Sequence, residues 1–241
     1  MAFSSLVAYR RVEEADENAS WPSSFALRLP AIPNFRDIAG AQDQPAYRNG
    51  DNMPLRRGVF YRSGRLNAEG SDLRRLQLLG VQAVYDLRSG EARKAEPDHI
   101  PEGIRYVPVP LAEPLLLTPD LTLEERMRLL VTDPDARAHT ASLLEHLAQA
   151  AAPCIYHCGT GRHMTGWVTA LLHTMAGLPT EAIFLDFLAG NEAQPRVAHA
   201  STLLAAMRAA ATHHGSVEGF IRDGLRLSSA TRQKLRGRML A

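Results

Sequence analysis

Cysteine is scarce in this chain: its 241 residues hold two, Cys154 and Cys158. Two are too few for a disulfide scaffold, and residues at this spacing on a strand stand about 13 Å apart, beyond bridging distance. No stretch approaches the ~18 consecutive apolar residues of a membrane-spanning helix, so none is expected. The N-terminal segment has only a short apolar run before it turns acidic, unlike a signal peptide, and cytoplasm is the expected location. Charge of one sign is missing as well. Lys and Arg number 27 against 26 Asp and Glu, which gives no reason to expect nucleic acid or a membrane surface as a partner. No repeat, low-complexity tract or Pro/Gly/Ser linker divides the chain, so one domain is the economical reading. The apolar fraction of 45% and charged fraction of 22% are those of an ordinary globular protein able to bury a substantial core.

Short apolar runs alternate with helical spacing. Gly58 to Gly64 reads as a strand ending in a loop, and Leu73, Leu76 and Leu79 fall at helical spacing with Gly80 as the stop. Val81 to Arg88 reads as a buried strand with charge at its carboxyl end, and Ile104 to Val109 as a further strand. Helices are expected over 140–150, 164–177, 180–190, 196–214, 216–223 and 228–239. Strands alternating with helices predict an α/β fold with a mainly parallel central sheet flanked by helices, whose ligand site lies at the carboxyl ends of the strands. Asp86, Arg88 and Cys158 sit at such ends. Arg56, Arg57, Arg62 and Arg65 lie close together in sequence, and the simplest reading of such a cluster is a solvated face.

The chemistry concentrates in Cys154-Ile155-Tyr156-His157-Cys158-Gly159-Thr160-Gly161-Arg162-His163-Met164-Thr165-Gly166. An apolar strand delivers a cysteine to its end, a Gly-containing turn follows, and an apolar helix leaves. Such a layout places a thiol beneath backbone N–H groups at a helix N-terminus, where an oxyanion is bound and a thiolate is favoured. The loop resembles the phosphate loop of Cys-dependent protein tyrosine phosphatases, His-Cys-x5-Arg-Ser/Thr. Asn34-Phe35-Arg36-Asp37, Tyr61-Arg62-Ser63-Gly64, Asp86-Leu87-Arg88-Ser89 with Glu91, and Gly215 to Phe220 resemble further segments of one bacterial branch. That branch comprises the atypical tyrosine/lipid phosphatases, whose loop commonly reads His-Cys-x-Ala-Gly-Lys-Asp-Arg-Thr-Gly. The resemblance implies a single tyrosine-phosphatase-like domain over 30–241, after a variable segment 1–29. It also implies a lid over 111–140, where Pro114, Pro119 and Pro134 bracket an amphipathic piece.

His157, Cys158, Gly161, Thr165 and Gly166 match that loop. The family's Lys becomes Arg162, which keeps a cation, and its proton-transferring Asp becomes His163, able to carry a proton near neutral pH. The family's Arg becomes Met164, which has neither charge nor donor and cannot clamp phosphoryl oxygens as a guanidinium does. By resemblance, Cys158 is the nucleophile, His163 and Asp86 are catalytic, and Gly159, Thr160, Gly161, Arg162, Met164 and Thr165 form the binding loop. The Thr165 hydroxyl is expected to bond Cys158, with His157, Arg36, Asp37 and Arg88 in support.

Blander readings stand beside these. Asp86 and Arg88 suit a structural ion pair equally well, and His163 an exposed loop histidine. Met164 suits a space filler, and Arg36 and Asp37 suit a tie between the N-terminal turn and the sheet. His213 and His214 lack partners at ligand spacing, so no metal and no other cofactor is assigned. The expected ligand is a phosphorylated or otherwise anionic molecule. Three functions fit: a phosphatase of impaired or altered activity, a pseudophosphatase that binds without turnover, or an enzyme repurposed for other chemistry.

Overall fold

Side-chain alternation along four-residue apolar strands builds a two-faced sheet. The computed structural model describes residues 29, 31–41, 44–111, 120–151, 153–189 and 196–240. The strands are β1 (Arg36–Asp37), β2 (Phe60–Ser63), β3 (Ala83–Asp86), β4 (Arg105–Pro108) and β5 (Cys154–His157), in the spatial order β1-β2-β5-β3-β4. All neighbours are parallel except β1, which runs antiparallel to β2 at the edge. Ser63, His157 and Asp86 stand side by side at the carboxyl ends of β2, β5 and β3.

Because successive residues point to opposite faces, Phe60, Tyr85, Cys154 and Tyr156 join the larger core, while Tyr61, Val84 and Ile155 join a smaller one. The smaller core is closed by Phe35, Leu66 and Leu76, the last from helix α1 (Ser71–Leu78). A one-turn helix, α2 (Gly90–Ala95), follows β3, with the Ser89 hydroxyl accepting from the Ala92 amide. The larger layer contains α3 (Leu123–Thr132), α4 (Pro134–Gln149), α5 (His163–Ala176), α6 (Thr180–Leu188), α7 (Arg196–His214) and α9 (Ser229–Met239). Between α7 and α9, a short α8 (Val217–Gly219) runs into a π-helical turn, Phe220–Gly224. Among the described residues, no helix is long and apolar enough to cross a membrane.

Some boundaries differ from the sequence reading. The helix expected from 140 starts at Pro134, because Asp133 caps it by accepting from the Ala136 amide at 2.8 Å and proline fits the first helical turn. The helix expected over 216–223 is the α8 and π pair. Part of the expected lid lies outside the described residues, at 112–119. Its described part is α3, opened by a Thr122/Glu125 capping box, together with the start of α4. Met127, Leu130 and Val131 of α3 are buried in the larger core, and α3 packs along α7.

Candidate active site

Cys158 follows the last residue of β5 and is 2% exposed, while Gly159 and Thr160 beside it are exposed. The loop then returns into α5, whose first turn carries no side-chain cap and no acidic residue. Its N-terminal amides therefore keep the anion-attracting character of an uncapped helix end.

The loop carbonyls have partners outside the loop. Gly159 O accepts from the Arg65 amide at 2.9 Å, and Thr160 O from Asn34 Nδ2 at 2.6 Å. Gly161 O accepts from Arg62 Nη2 at 2.9 Å. Arg162 O accepts from the same Nη2 at 3.3 Å and from the Gly166 amide at 2.8 Å. In a trans peptide the carbonyl and the following N–H point in opposite directions, and no described peptide bond is cis. Carbonyls held outward from 159 to 162 thus leave the amides of Thr160, Gly161, Arg162 and His163 directed away from those outer donors. One of them ends on the thiol: Gly161 N–H donates to Cys158 Sγ at 3.3 Å.

Close approach explains two glycines. Gly161 has φ +72°, and a Cβ there would lie 2.4 Å from backbone atoms of Ser63 and Gly64. A Cβ on Gly166 would lie 2.5 Å from the Phe187 ring. The turn after β2 and the cysteine loop interlock through backbone alone.

Two charged networks flank the loop. On the face of the larger core, Arg62 is 0% exposed, and its Nη1 donates to Asp186 Oδ2 at 2.7 Å. Arg36 reaches the same residue, with Nη2 on Asp186 O at 2.8 Å and Nε 3.4 Å from Oδ1. Burial alone would raise the Asp186 carboxyl, but Arg36 and Arg62 hold it below its ordinary range. Burial and the neighbouring Arg36 draw Arg62 down to about 10, which leaves it charged at neutral pH. Asp37 accepts from the amides of Ala39 at 2.8 Å and Gly58 at 2.7 Å, fixing the turn beside β1; burial pushes its carboxyl up.

On the opposite side, Asp86 accepts from Arg88 through Nε at 3.0 Å and Nη2 at 2.6 Å, and from the Tyr106 hydroxyl. Arg88 Nη2 also donates to Asp98 at 2.6 Å. Burial works against the Asp86 charge, yet Arg88, His157 and Tyr106 together hold its pKa down at about 2. His157, fully buried, places Nε2 3.2 Å from Asp98 and 3.7 Å from Asp86, and Nδ1 3.3 Å from Cys158 O. Asp86, Asp98 and His157 offer three donor atoms within 4.8 Å of one another. The Arg88 guanidinium bonds both carboxylates there, so the geometry describes a salt-bridge network.

The structure thus brings His157, Cys158 and the loop from Gly159 to Thr165 together, with Asp86 and Arg88 at the adjacent strand end. Asp86 and Arg88 form a buried ion pair beside the loop, in which the carboxylate is held ionised. Two expectations are corrected. Arg62 is not part of a solvated face, since it lies under the loop, and Arg57 bonds the carbonyls of Gly40, Ala41 and Gln44. The Thr165 hydroxyl is buried and bonds no described group, Cys158 included. Met164 is half-buried and packs against the larger core.

Sequence reasoning missed Asp98, Tyr106 and Asp186. A signal existed for the last: Asp186 is the lone charge in Ile183-Phe184-Leu185-Asp186-Phe187-Leu188, and a charge on a buried face requires a partner.

Comparison with known proteins adds to this geometry. A family model described as "Tyrosine phosphatase family" matches residues 27–241. A Cupriavidus necator protein named for the tyrosine-protein phosphatases is 28% identical over 98% of this chain and 96% of its own. The triple specificity protein phosphatase PtpB of Mycobacterium tuberculosis is 26% identical over 70% of each chain. Among solved structures, P. aeruginosa TpbA is 22% identical, covers 77% of this chain and 96% of its own, and superposes with a TM-score of 0.43.

Proposed function

The chain belongs to the tyrosine phosphatase family, and from that premise we propose a Cys-dependent phosphate monoesterase whose turnover is reduced by Met164. The observation that carries this reading is the loop's outward carbonyls, with an amide on Cys158 Sγ at 3.3 Å. That arrangement supports an oxyanion held over a nucleophile. In the proposed reaction Cys158 attacks phosphorus, an S–P bond forms, and the ester P–O bond breaks as His163 gives its proton to the leaving oxygen. Water then attacks the cysteinyl phosphate, giving a proton back to His163 as a P–O bond forms and the S–P bond breaks, which frees the Cys158 thiolate and inorganic phosphate. Asp86, held ionised by Arg88 and Tyr106, serves as a fixed charge beside His157 in this scheme. The substrate class is a protein tyrosine, lipid or small-molecule phosphate, in keeping with relatives named as phosphatases.

Met164 favours a second reading, a pseudophosphatase. It packs on the core in place of a clamp, and losing one oxyanion donor in other enzymes costs roughly 10²–10³ in rate. Acid-quenched mass spectrometry after mixing with an aryl phosphate separates the two. A phosphoryl adduct on Cys158, absent in Cys158→Ser, supports the esterase. Anion binding with neither adduct nor phosphate release supports the pseudophosphatase.

A further inference from the structure

The outer donors to the loop are unequal. Arg65 contributes a backbone amide and Asn34 a half-buried side chain, whereas Arg62 contributes a fully buried guanidinium bonded to two consecutive loop carbonyls. A buried cation is costly unless it is paired and hydrogen-bonded. Here Asp186 takes one arm of the fork and the loop backbone takes the other. Arg36 shares the same carboxylate, so two guanidiniums meet one carboxylate under the loop. The site is built tightly around this arm, since a Cβ at Gly166 would stand 3.2 Å from Arg62 Nη2.

We propose that Arg62 is the positioning residue of the anion site. Anchored by Asp186, it captures the carbonyls of Gly161 and Arg162 and so turns the amides of Arg162 and His163 toward the anion. The planar fork of arginine suits this role because one end stays on the carboxylate while the other reaches two oxygens. Lysine, a point charge with no fork, cannot hold both. The guanidinium acts from below through the backbone and does not touch the ligand. In a loop with Met at its sixth position after the cysteine, it is also a buried cation bonded directly to loop carbonyls. The inference rests on the anion-binding reading given above.

Calorimetric titration of the full chain with tungstate tests it, alongside thermal melts. Arg62→Lys should weaken tungstate binding roughly ten- to a hundredfold, with steady-state loss falling on substrate KM at least as much as on kcat. Leu143→Ala, a core truncation chosen to lower thermal stability comparably, should bind tungstate as the parent does. Asn34→Gly removes the donor to Thr160 O at a half-buried position where φ is +54°, which glycine accepts freely. It should fold normally and weaken binding by a smaller factor; if Arg62→Lys does not fold, Arg62→Gln keeps the test alive, and parent-like tungstate affinity in it refutes the positioning role. If the parent protein binds no tungstate, the anion-site reading itself is lost. If the parent binds and both Arg62→Lys and Asn34→Gly bind equally well, the positioning role is refuted. A folded Arg62→Lys that melts lower but keeps the parent's affinity also refutes it.

Discussion

The two charged networks beside the cysteine loop differ in what they hold. Arg36, Arg62 and Asp186 lie on the helical side, and their free arm ends on loop carbonyls. Asp86, Arg88, Asp98 and Tyr106 lie at the strand ends and reach the loop through His157. Redundancy differs too: among the described residues Asp186 is the one carboxylate bonded by both Arg36 and Arg62, whereas Arg88 has two carboxylates. Burial of charge thus holds the cysteine loop on one side and fixes a strand end on the other.

Removing the central carboxylate should separate the two networks most clearly. Asp186→Ala strands two buried guanidiniums and should cost about 3–5 kcal/mol in chemical denaturation. Asp86→Ala leaves Arg88 on Asp98, and a loss of about 1–3 kcal/mol is expected. Equal losses would remove the distinction.

Acid should reach the two sides in different windows. Burial pushes the His173 imidazole, which bonds Ile38 O at 2.7 Å, below its ordinary 6.5. A lowered folded value favours the neutral form, so its contribution is present above pH 6.5 and is lost as pH falls below it. Asp86 falls from an ordinary 3.8 to about 2, so its contribution is full above 3.8 and is lost as pH drops toward 2. Melting temperature followed from neutral pH downward should show both declines. His173→Gln should flatten the upper one and Asp86→Asn the lower. The smallest effect is expected of Tyr106→Phe, which deletes a single hydroxyl on Asp86 at a half-exposed position. About 1 kcal/mol in the same denaturation assay is expected.

Much of this was legible because it is local. Apolar runs marked β2, β3, β4 and β5, Gly80 ended α1, and the turn after Cys158 announced α5. Convergence of Asp86, Arg88 and Cys158 followed from strand ends in a parallel sheet. Tertiary pairing was not legible. Arg62 meets Asp186 across 124 positions, and charge density along the sequence pointed toward solvent for an arginine that burial and a partner hold inside. Asp98 and Tyr106 joined Arg88 for the same reason, with no local pattern to mark them. The two-residue β1 and one-turn α2 are too short for periodicity to register. Pro134 read as a bracket of the amphipathic piece because its value as a first-turn residue depends on the cap before it.

Both networks leave one place in the loop unprovided for, the sixth position after the cysteine, where Met164 turns to the core. On the function proposed above, the loop is still a phosphatase cradle lacking one donor there. Aryl phosphate hydrolysis by Met164→Arg, with Cys158→Ser on that background, tests it most directly. A rise of roughly 10²-fold over the parent, abolished by Cys158→Ser, is predicted. A folded Met164→Arg protein with no gain would contradict the claim and point to a loop reshaped for other chemistry.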